Sequence, residues 1–436
     1  MNSPAPEPIL KHLTFARDRI AAGDLQGAAA SLNKANKVSP NDARIFMLAG
    51  LMAEKAGNIP GTFEALRRSV REAPDWGPGM LELALFLARQ NQFQEAVEWA
   101  EKVAALEPSN TLVLASVIDI AHRAGHTEMA VRHLQRGLTL VPGDLTLRRM
   151  LARDLATLGR HDESLAAWGA LIEENPADAQ ARIGRVQTLI AMGRAKDAAP
   201  DTAFLLAAAP DDVVYAYFDT IAQGRTPLQQ PPELHRALFD GMAPVYDQHM
   251  VRGLKYQLPK RVADTLLTEH PDKHFNLLDL GCGTGLLGVC LGRIDGFLIG
   301  VDTSLPMIEQ AARHQVYDKF HHVNVLDALR ETPEAQYEII TALDVLIYVG
   351  DLAQAVPDAS RILTPGGTFI FSCEAAGEDG PDLVLQPNNR YAHKLSHVKA
   401  LCQQAGFISV EIEPLTLRQE GGQPVEGYLV RARKAA

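Results

Sequence analysis

The pattern of apolar and polar positions changes near the middle of the chain, and each half predicts a different architecture. Before residue 224 the punctuation repeats. Pro40, Pro74, Pro108, Pro142, Pro176 and Pro210 stand 34 residues apart each time. Seventeen residues before each proline lies Gly23, Gly57, Asn91, Gly125, Gly159 or Gly193, and twelve before it Ala28, Thr62, Ala96, Ala130, Ser164 or Ala198. A fixed period of this length marks stacked helical hairpins. Gly or Asn takes the left-handed conformation that closes a first helix, the small residue lets the second helix pack closely, and proline cannot continue that second helix. A further compact site recurs in the first helix of each unit, at Ala16, Gly50, Ala84, Ile118, Ala152 and Val186. Beyond residue 232, short β-rich runs alternate with helical stretches, which predicts a parallel α/β sheet. Seven runs read as strands: 276–280, 297–301, 321–325, 338–343, 367–372, 407–413 and 427–433, the last two flanking a hairpin-like 420–424. GRTPLQQPP, 224–232, is proline-rich and without period, so it reads as a boundary.

The first-half pattern resembles the tetratricopeptide repeat, with six units over 9–212, although the usual Trp near the start of each repeat is missing. VVYAYFDTIA, 213–222, reads as a capping helix, because an open solenoid end must cover its apolar face. The expected organisation is an N-terminal tail 1–8, a repeat domain 9–223, a linker 224–232 and a second domain 233–436. The resemblance implies an extended groove that holds peptides or partner proteins. Arg17, Asp119, His122, Arg123, Arg149 and Arg153 would line it, suiting a partner with an acidic or C-terminal carboxylate. The reading of these residues as merely solvated helix faces stands beside that one.

The strongest motif is Asp279-Leu-Gly281-Cys282-Gly283-Thr-Gly285, directly after the first strand of the second half. Glycines there let the backbone turn sharply and approach a ligand without Cβ clashes. Asp302 ends the next strand, where a carboxylate can accept both hydroxyls of a ribose. Gly283-Thr-Gly285-Leu-Leu-Gly288 also satisfies the dinucleotide pattern G-x-G-x-x-G, which alone is a weak signal. Asp279 ahead of the glycines, Leu363-Thr-Pro365-Gly366-Gly367 before the fifth strand, and the acidic pair Asp302 and Asp327 turn the balance. Together they resemble a class I S-adenosylmethionine-dependent methyltransferase over 233–436, with a Rossmann-like seven-stranded sheet. The resemblance extends to bacterial methyltransferases carrying tetratricopeptide repeats, through Phe239-Asp240, Ala243, Tyr246-Asp247, His249 and Tyr256 before the first strand and Asn389–His393 after the fifth.

That resemblance implies S-adenosyl-L-methionine as methyl donor, leaving S-adenosyl-L-homocysteine. Tyr246 and Tyr256 would come from a segment folded over the cofactor, and Asp279, Gly281, Cys282, Gly283 and Gly285 from the loop beneath it. Asp302 and Thr303 would meet the ribose, Met307 the adenine face, Asp327 and Ala328 the adenine edge, and Leu343 the end of the fourth strand. Each has a plainer reading: a helix cap for Asp302 in competition with Ser304, core packing for Met307, a turn residue for Asp327. No chemistry falls to the Cys282 thiol. Asp344, Tyr348, Glu374 and the 390–393 segment would wall the acceptor. His249, Tyr348 and His393 are the candidates for taking a proton, histidine being suited to that near neutral pH, although such histidines also serve as surface or packing residues.

Charge and composition narrow the function. With 42 Lys+Arg against 53 Asp+Glu the net charge is -11, which argues against a nucleic-acid or anionic-membrane binder. Hydrophobic residues at 47% with 22% charged describe a soluble globular chain. No apolar stretch reaches the length of about 20 needed to cross a bilayer, and MNSPAPEPIL has no signal-peptide core. Four cysteines at no metal-ligand spacing predict no metal site and a cytoplasmic location. The expected function is methyl transfer, with the repeats recruiting a protein, peptide or carrier-bound substrate. A small-molecule enzyme using the repeats for assembly, and a non-enzymatic scaffold, remain open alternatives.

Overall fold

A computed structural model describes residues 7–420 and 422–436. They form two compact units, Met1–Arg185 and Val186–Ala436. The expected tail lies outside the described residues except at its last two positions, which open the first helix. In the first unit, helices pair as hairpins: Glu7–Ala22 with Leu25–Val38, Ala43–Lys55 with Ile59–Glu72, Gly77–Arg89 with Phe93–Leu106, Thr111–Arg123 with Thr127–Leu140, and Leu145–Thr157 with His161–Glu174. Each second helix stops two residues before a repeat proline. Asn91 has φ 58 and the four glycines of this unit's hairpin turns have φ of 70 to 81, the left-handed turn that the period requires. Ala28, Thr62, Ala96, Ala130 and Ser164 are all fully buried. The closeness of packing is clearest at Gly50, where a Cβ would stand 2.7 Å from Leu66.

The charged positions expected in the groove are held in ion pairs, mostly with carboxylates outside that set. Arg123 holds Asp119 at 2.8 Å, His122 Nε2 lies 2.5 Å from Asp154, Arg149 meets Asp178 at 2.6 Å and Arg153 meets Asp154 at 3.2 Å. Only Arg17, beside Asp18 at 3.7 Å, stands well exposed with a loose partner among these six. The row therefore offers less net positive charge than the sequence suggests.

The second unit begins inside the sixth hairpin. Its second helix starts with a 3-10 turn, Ala195–Ala198, before Ala199–Ala208, because Pro200 fits only the first turn of a helix. The helix Val213–Ala222 follows, capped by Asp212. The 224–232 segment belongs to this unit: the Leu228 carbonyl accepts from Asp351 N (2.7 Å) and the Pro227 carbonyl from the Tyr391 hydroxyl (3.0 Å). Helices Pro232–Met242 and Leu258–Glu269 flank a wide π-helical turn, Gln248–Gly253.

The sheet has nine strands, correcting the expected seven: β1 (Leu277–Leu280), β2 (Leu298–Asp302), β3 (Lys319–His322), β4 (Tyr337–Ala342), β5 (Leu363–Ala376), β6 (Leu383–Leu385), β7 (Tyr391–Lys394), β8 (Phe407–Glu420) and β9 (Gln423–Lys434). The parallel core runs β3-β2-β1-β4-β5, and β9 joins β5 antiparallel with β8 beyond it. The two additional strands form a short hairpin, whose β7 runs parallel to Glu374–Ala376. Glu374 pairs with Ala392 on one side and Gly427 on the other, so β7 continues the edge that β4 vacates. Alternate residues of the central strands enter two apolar layers. Leu278, Leu280, Ile340, Phe369 and Phe371 pack on one face, and Leu277, Ile339, Ile370 and Leu429 on the other. Burial on both faces explains why these strands read as continuous apolar runs. No helix of the described residues is long and apolar enough to cross a membrane.

Candidate active site

The carboxyl ends of β1, β2 and β4 open on one cavity of about 680 Å³. The loop after β1 is shaped by two distinct demands on its glycines. Gly281 has φ 64, and a Cβ there would stand 2.2 Å from Val345 Cγ2. Gly283 has φ 53, but a Cβ there would meet nothing closer than Tyr246 at 3.8 Å. The first glycine accommodates the protein, and the second leaves room for a ligand against bare backbone.

Asp302, at the tip of β2, accepts from Gly283 N (2.9 Å) and Ser304 N (2.8 Å). Ser304 is the cap of the following helix, accepting from Met307 N (3.3 Å), which leaves the carboxylate free of that task. Burial pushes the Asp302 carboxyl upward in pKa, while the backbone N–H groups of Ser304 and Gly283 hold it down. Thr303 and Met307 line the cavity beside it, as do Tyr246 and Leu343.

Asp279 lies beneath the loop. Its carboxylate accepts from the Tyr317 hydroxyl (2.6 Å) and Thr341 Oγ1 (2.8 Å), and burial raises it to about 6. It anchors the loop and does not line the cavity. Cys282 turns its thiol into the sheet, within 2.8 Å of where a Cβ on Gly300 would stand, and burial pushes its pKa up, so the thiol is inert. Gly285, with φ 84, starts the helix Leu286–Leu291 away from the cavity. Tyr256 is buried in the core with Met250 and Leu258.

The expected adenine edge is where the geometry departs most from the sequence reading. β3 ends at His322, so Asn324 is a loop residue and the cap of the helix Val325–Glu331, accepting from Leu326 N (2.7 Å). Asn324, Val325 and Leu326 line the cavity. Asp327 turns outward to Arg330 (2.5 Å), and Ala328 packs inward behind the helix. The helix-cap preference of Asn was the available signal. The alternating HHVNV pattern concealed it.

The segment before β1 closes over the loop. Ser304 Oγ donates to Asp240 (2.6 Å), Thr284 Oγ1 donates to Asp247, and the Tyr246 ring lies over Gly283. Burial raises the Tyr246 hydroxyl well above its ordinary range. Of the three proton-taking candidates, Tyr348 lines the cavity. His249 is exposed on the π-helical turn. His393 is buried in β7, with Nε2 2.7 Å from the Gly350 carbonyl, and holds that loop to the sheet. The geometry brings neither histidine into the cavity.

Beneath Tyr348 lies a buried charge network. Asp344 accepts two bonds from Arg418 (2.9 and 2.7 Å), which also reaches Glu374 and Glu420 (2.7 Å for the latter). Arg390 holds Glu420 from the other side. The Arg418 side chain is 2% exposed, so its partners neutralise it in place of water. No sequence signal led from β8 to this position.

Comparison with known proteins agrees with this geometry. A methyltransferase-domain family model matches residues 278–371, and a tetratricopeptide-repeat model matches 13–75 and 149–213. A ubiquinone biosynthesis O-methyltransferase of Hydrogenovibrio crunogenus is 26% identical over 185 residues, covering 37% of this chain and 76% of that protein. A malonyl-[acyl-carrier protein] O-methyltransferase of Enterobacter lignolyticus is 30% identical over 141 residues, covering 32% of this chain and 53% of that one. Among solved structures, the magnesium protoporphyrin IX methyltransferase of Synechocystis PCC 6803 covers 47% of this chain and 97% of its own, at 16% identity and a TM-score of 0.37. The chain therefore joins a tetratricopeptide-repeat array to an S-adenosylmethionine-dependent methyltransferase domain.

Proposed function

We propose that the cavity binds S-adenosylmethionine at the ends of β1 and β2 and transfers its methyl group to an oxygen of an acceptor, leaving S-adenosylhomocysteine. The observation that carries this reading is the open space at Gly283, with the Asp302 carboxylate and Met307 bordering the same cavity. Asp302 is poised to accept the ribose hydroxyls, Met307 to pack on the adenine, and Asn324 with Val325, in place of Asp327, to border the adenine edge. The cofactor supplies an activated methyl on a positively charged sulfur. The chain holds acceptor and donor together and excludes water, which is the larger part of such catalysis. Tyr246 closes the site from above, and Asp344, fixed by Arg418, sets its floor. The acceptor oxygen is argued from relatives named as O-methyltransferases.

The repeats, on this reading, recruit the protein, peptide or carrier that brings the acceptor. The relative named for malonyl-[acyl-carrier protein] is a precedent for a carrier-borne acceptor. Holding it nearby would raise its effective concentration to roughly millimolar. The four cysteines are free thiols, which suits a reducing cytoplasm. A thermal-shift titration tests the cofactor assignment. S-adenosylhomocysteine at a hundredfold over its Kd should stabilise the second unit by about 2.7 kcal/mol, with NAD giving no shift. A shift with NAD alone would restore the dinucleotide reading.

A further inference from the structure

The cavity runs past the part assigned to the cofactor. Its far end is walled by the helix Val213–Ala222, by 225–232 and by the helix Pro232–Met242, all outside the matched methyltransferase segment 278–371. Two side chains of that wall each bury one polar atom with no hydrogen-bond partner: Gln230 Oε1 and His235 Nδ1. Buried polar atoms are nearly always satisfied, so two in one cavity point to a ligand. Gln230 Nε2 donates to the Asn389 carbonyl (3.3 Å), which leaves Oε1 as the unused acceptor. The Tyr217 hydroxyl is satisfied by Tyr391, whose own proton goes to the Pro227 carbonyl (3.0 Å).

Around these atoms the surface is apolar and aromatic. The His235 and Tyr348 rings lie 5.3 Å apart at 36°, and Phe239 meets Tyr348 edge-on at 5.4 Å and 89°. Charge is matched or peripheral: Asp344 is held by Arg418, and Arg225 is exposed and bonded to Gln223 (2.6 Å). The far end therefore suits a ligand that is neutral, flat and apolar and that brings a hydrogen-bond donor.

We infer that this far end is the methyl-acceptor subsite, that it takes a neutral, flat, apolar molecule bearing a hydroxyl, and that His235 Nδ1 receives the hydroxyl proton. The inference rests on the cofactor reading above. Burial keeps the imidazole neutral, its pKa pushed down to about 4, so Nδ1 can accept in the tautomer that leaves it unprotonated. In the transfer the acceptor's oxygen–carbon bond forms and the carbon–sulfur bond breaks. The hydroxyl proton passes to His235, so the positive charge lost at sulfur reappears on the ring. His235 thereby takes the role for which His249 and His393 are misplaced.

Calorimetric titration of the full chain, saturated with S-adenosylhomocysteine, tests the inference with catechol and its dimethyl ether, 1,2-dimethoxybenzene, as probes. Catechol should bind, and the ether, which has the same ring but no donor, at least about tenfold more weakly. Both His235→Phe and Gln230→Leu should weaken catechol by at least about tenfold while S-adenosylhomocysteine affinity is retained, which also certifies that each variant is folded. Absence of catechol binding, equal binding of the two probes, or indifference to both substitutions overturns the acceptor subsite and leaves the cofactor reading intact. Failure of the unmodified chain to bind S-adenosylhomocysteine overturns the cofactor reading instead.

Discussion

Gly281 and Gly283 sit two residues apart with left-handed backbones, yet a methyl group would meet different surroundings at each. At Gly281 it would collide with Val345, and the neighbouring β4 end would have to move. At Gly283 it would enter the cavity, leaving only the backbone cost of about 1–2 kcal/mol. Gly281→Ala should therefore lower the melting temperature of the second unit markedly, whereas Gly283→Ala should lower it less but abolish most S-adenosylhomocysteine binding. Parallel melting and calorimetry on the two variants checks this; equal loss of binding per degree of melting would mean that the two glycines do the same job. The sequence placed both glycines in one loop correctly. It could not divide their roles, because that depends on Val345 and Tyr246, which lie 64 and 37 positions away.

At the scale of elements, what was legible followed from repetition and long apolar runs. The 34-residue period located every hairpin turn because each turn needs the same left-handed residue. The central strands were visible because they are buried on both faces. β6 and β7 were not, since strands of three and four residues carry too little pattern to stand out. β7 matters because it fixes His393 against the Gly350 carbonyl. Burial holds that imidazole at about 4, against an ordinary 6.5. Between those values the unfolded chain binds a proton that the folded chain does not, so stability falls as pH drops through the window. The loss is at most about 3 kcal/mol by pH 4. Asp279, raised to about 6, works in the opposite direction as pH falls below that value, so the contribution is read as a difference between proteins. His393→Gln keeps an N–H for Gly350 but cannot titrate. Urea unfolding at pH 7 and pH 4.5 should show the unmodified chain losing more stability than the variant. Equal losses would mean that His393 is not held neutral.

At the scale of the whole molecule, the chain joins tetratricopeptide repeats to a sheet whose strand ends enclose a cavity. The boundary expected at 224–232 was read from composition, and prolines without period do suggest a linker. The segment nonetheless packs within the second unit, because Tyr391 and Asp351 supply partners for its carbonyls. Its neighbour, the helix Val213–Ala222, looked like a cap for the solenoid and also borders the cavity. Residues 213–232 thus carry structure that a composition shift cannot reveal, since side chains from several distant segments meet there only after folding.

On the proposed function, Asp302, and not Asp327, faces the cofactor. Isothermal titration of S-adenosylhomocysteine into the unmodified chain, Asp302→Ala and Asp327→Ala tests it most directly. The unmodified chain should bind at one site, Asp302→Ala should lose at least about tenfold in affinity, equivalent to about 1.4 kcal/mol or more, and Asp327→Ala should bind unchanged. Retained affinity in Asp302→Ala with loss in Asp327→Ala would contradict the site geometry, and no binding to the unmodified chain would contradict the assignment itself.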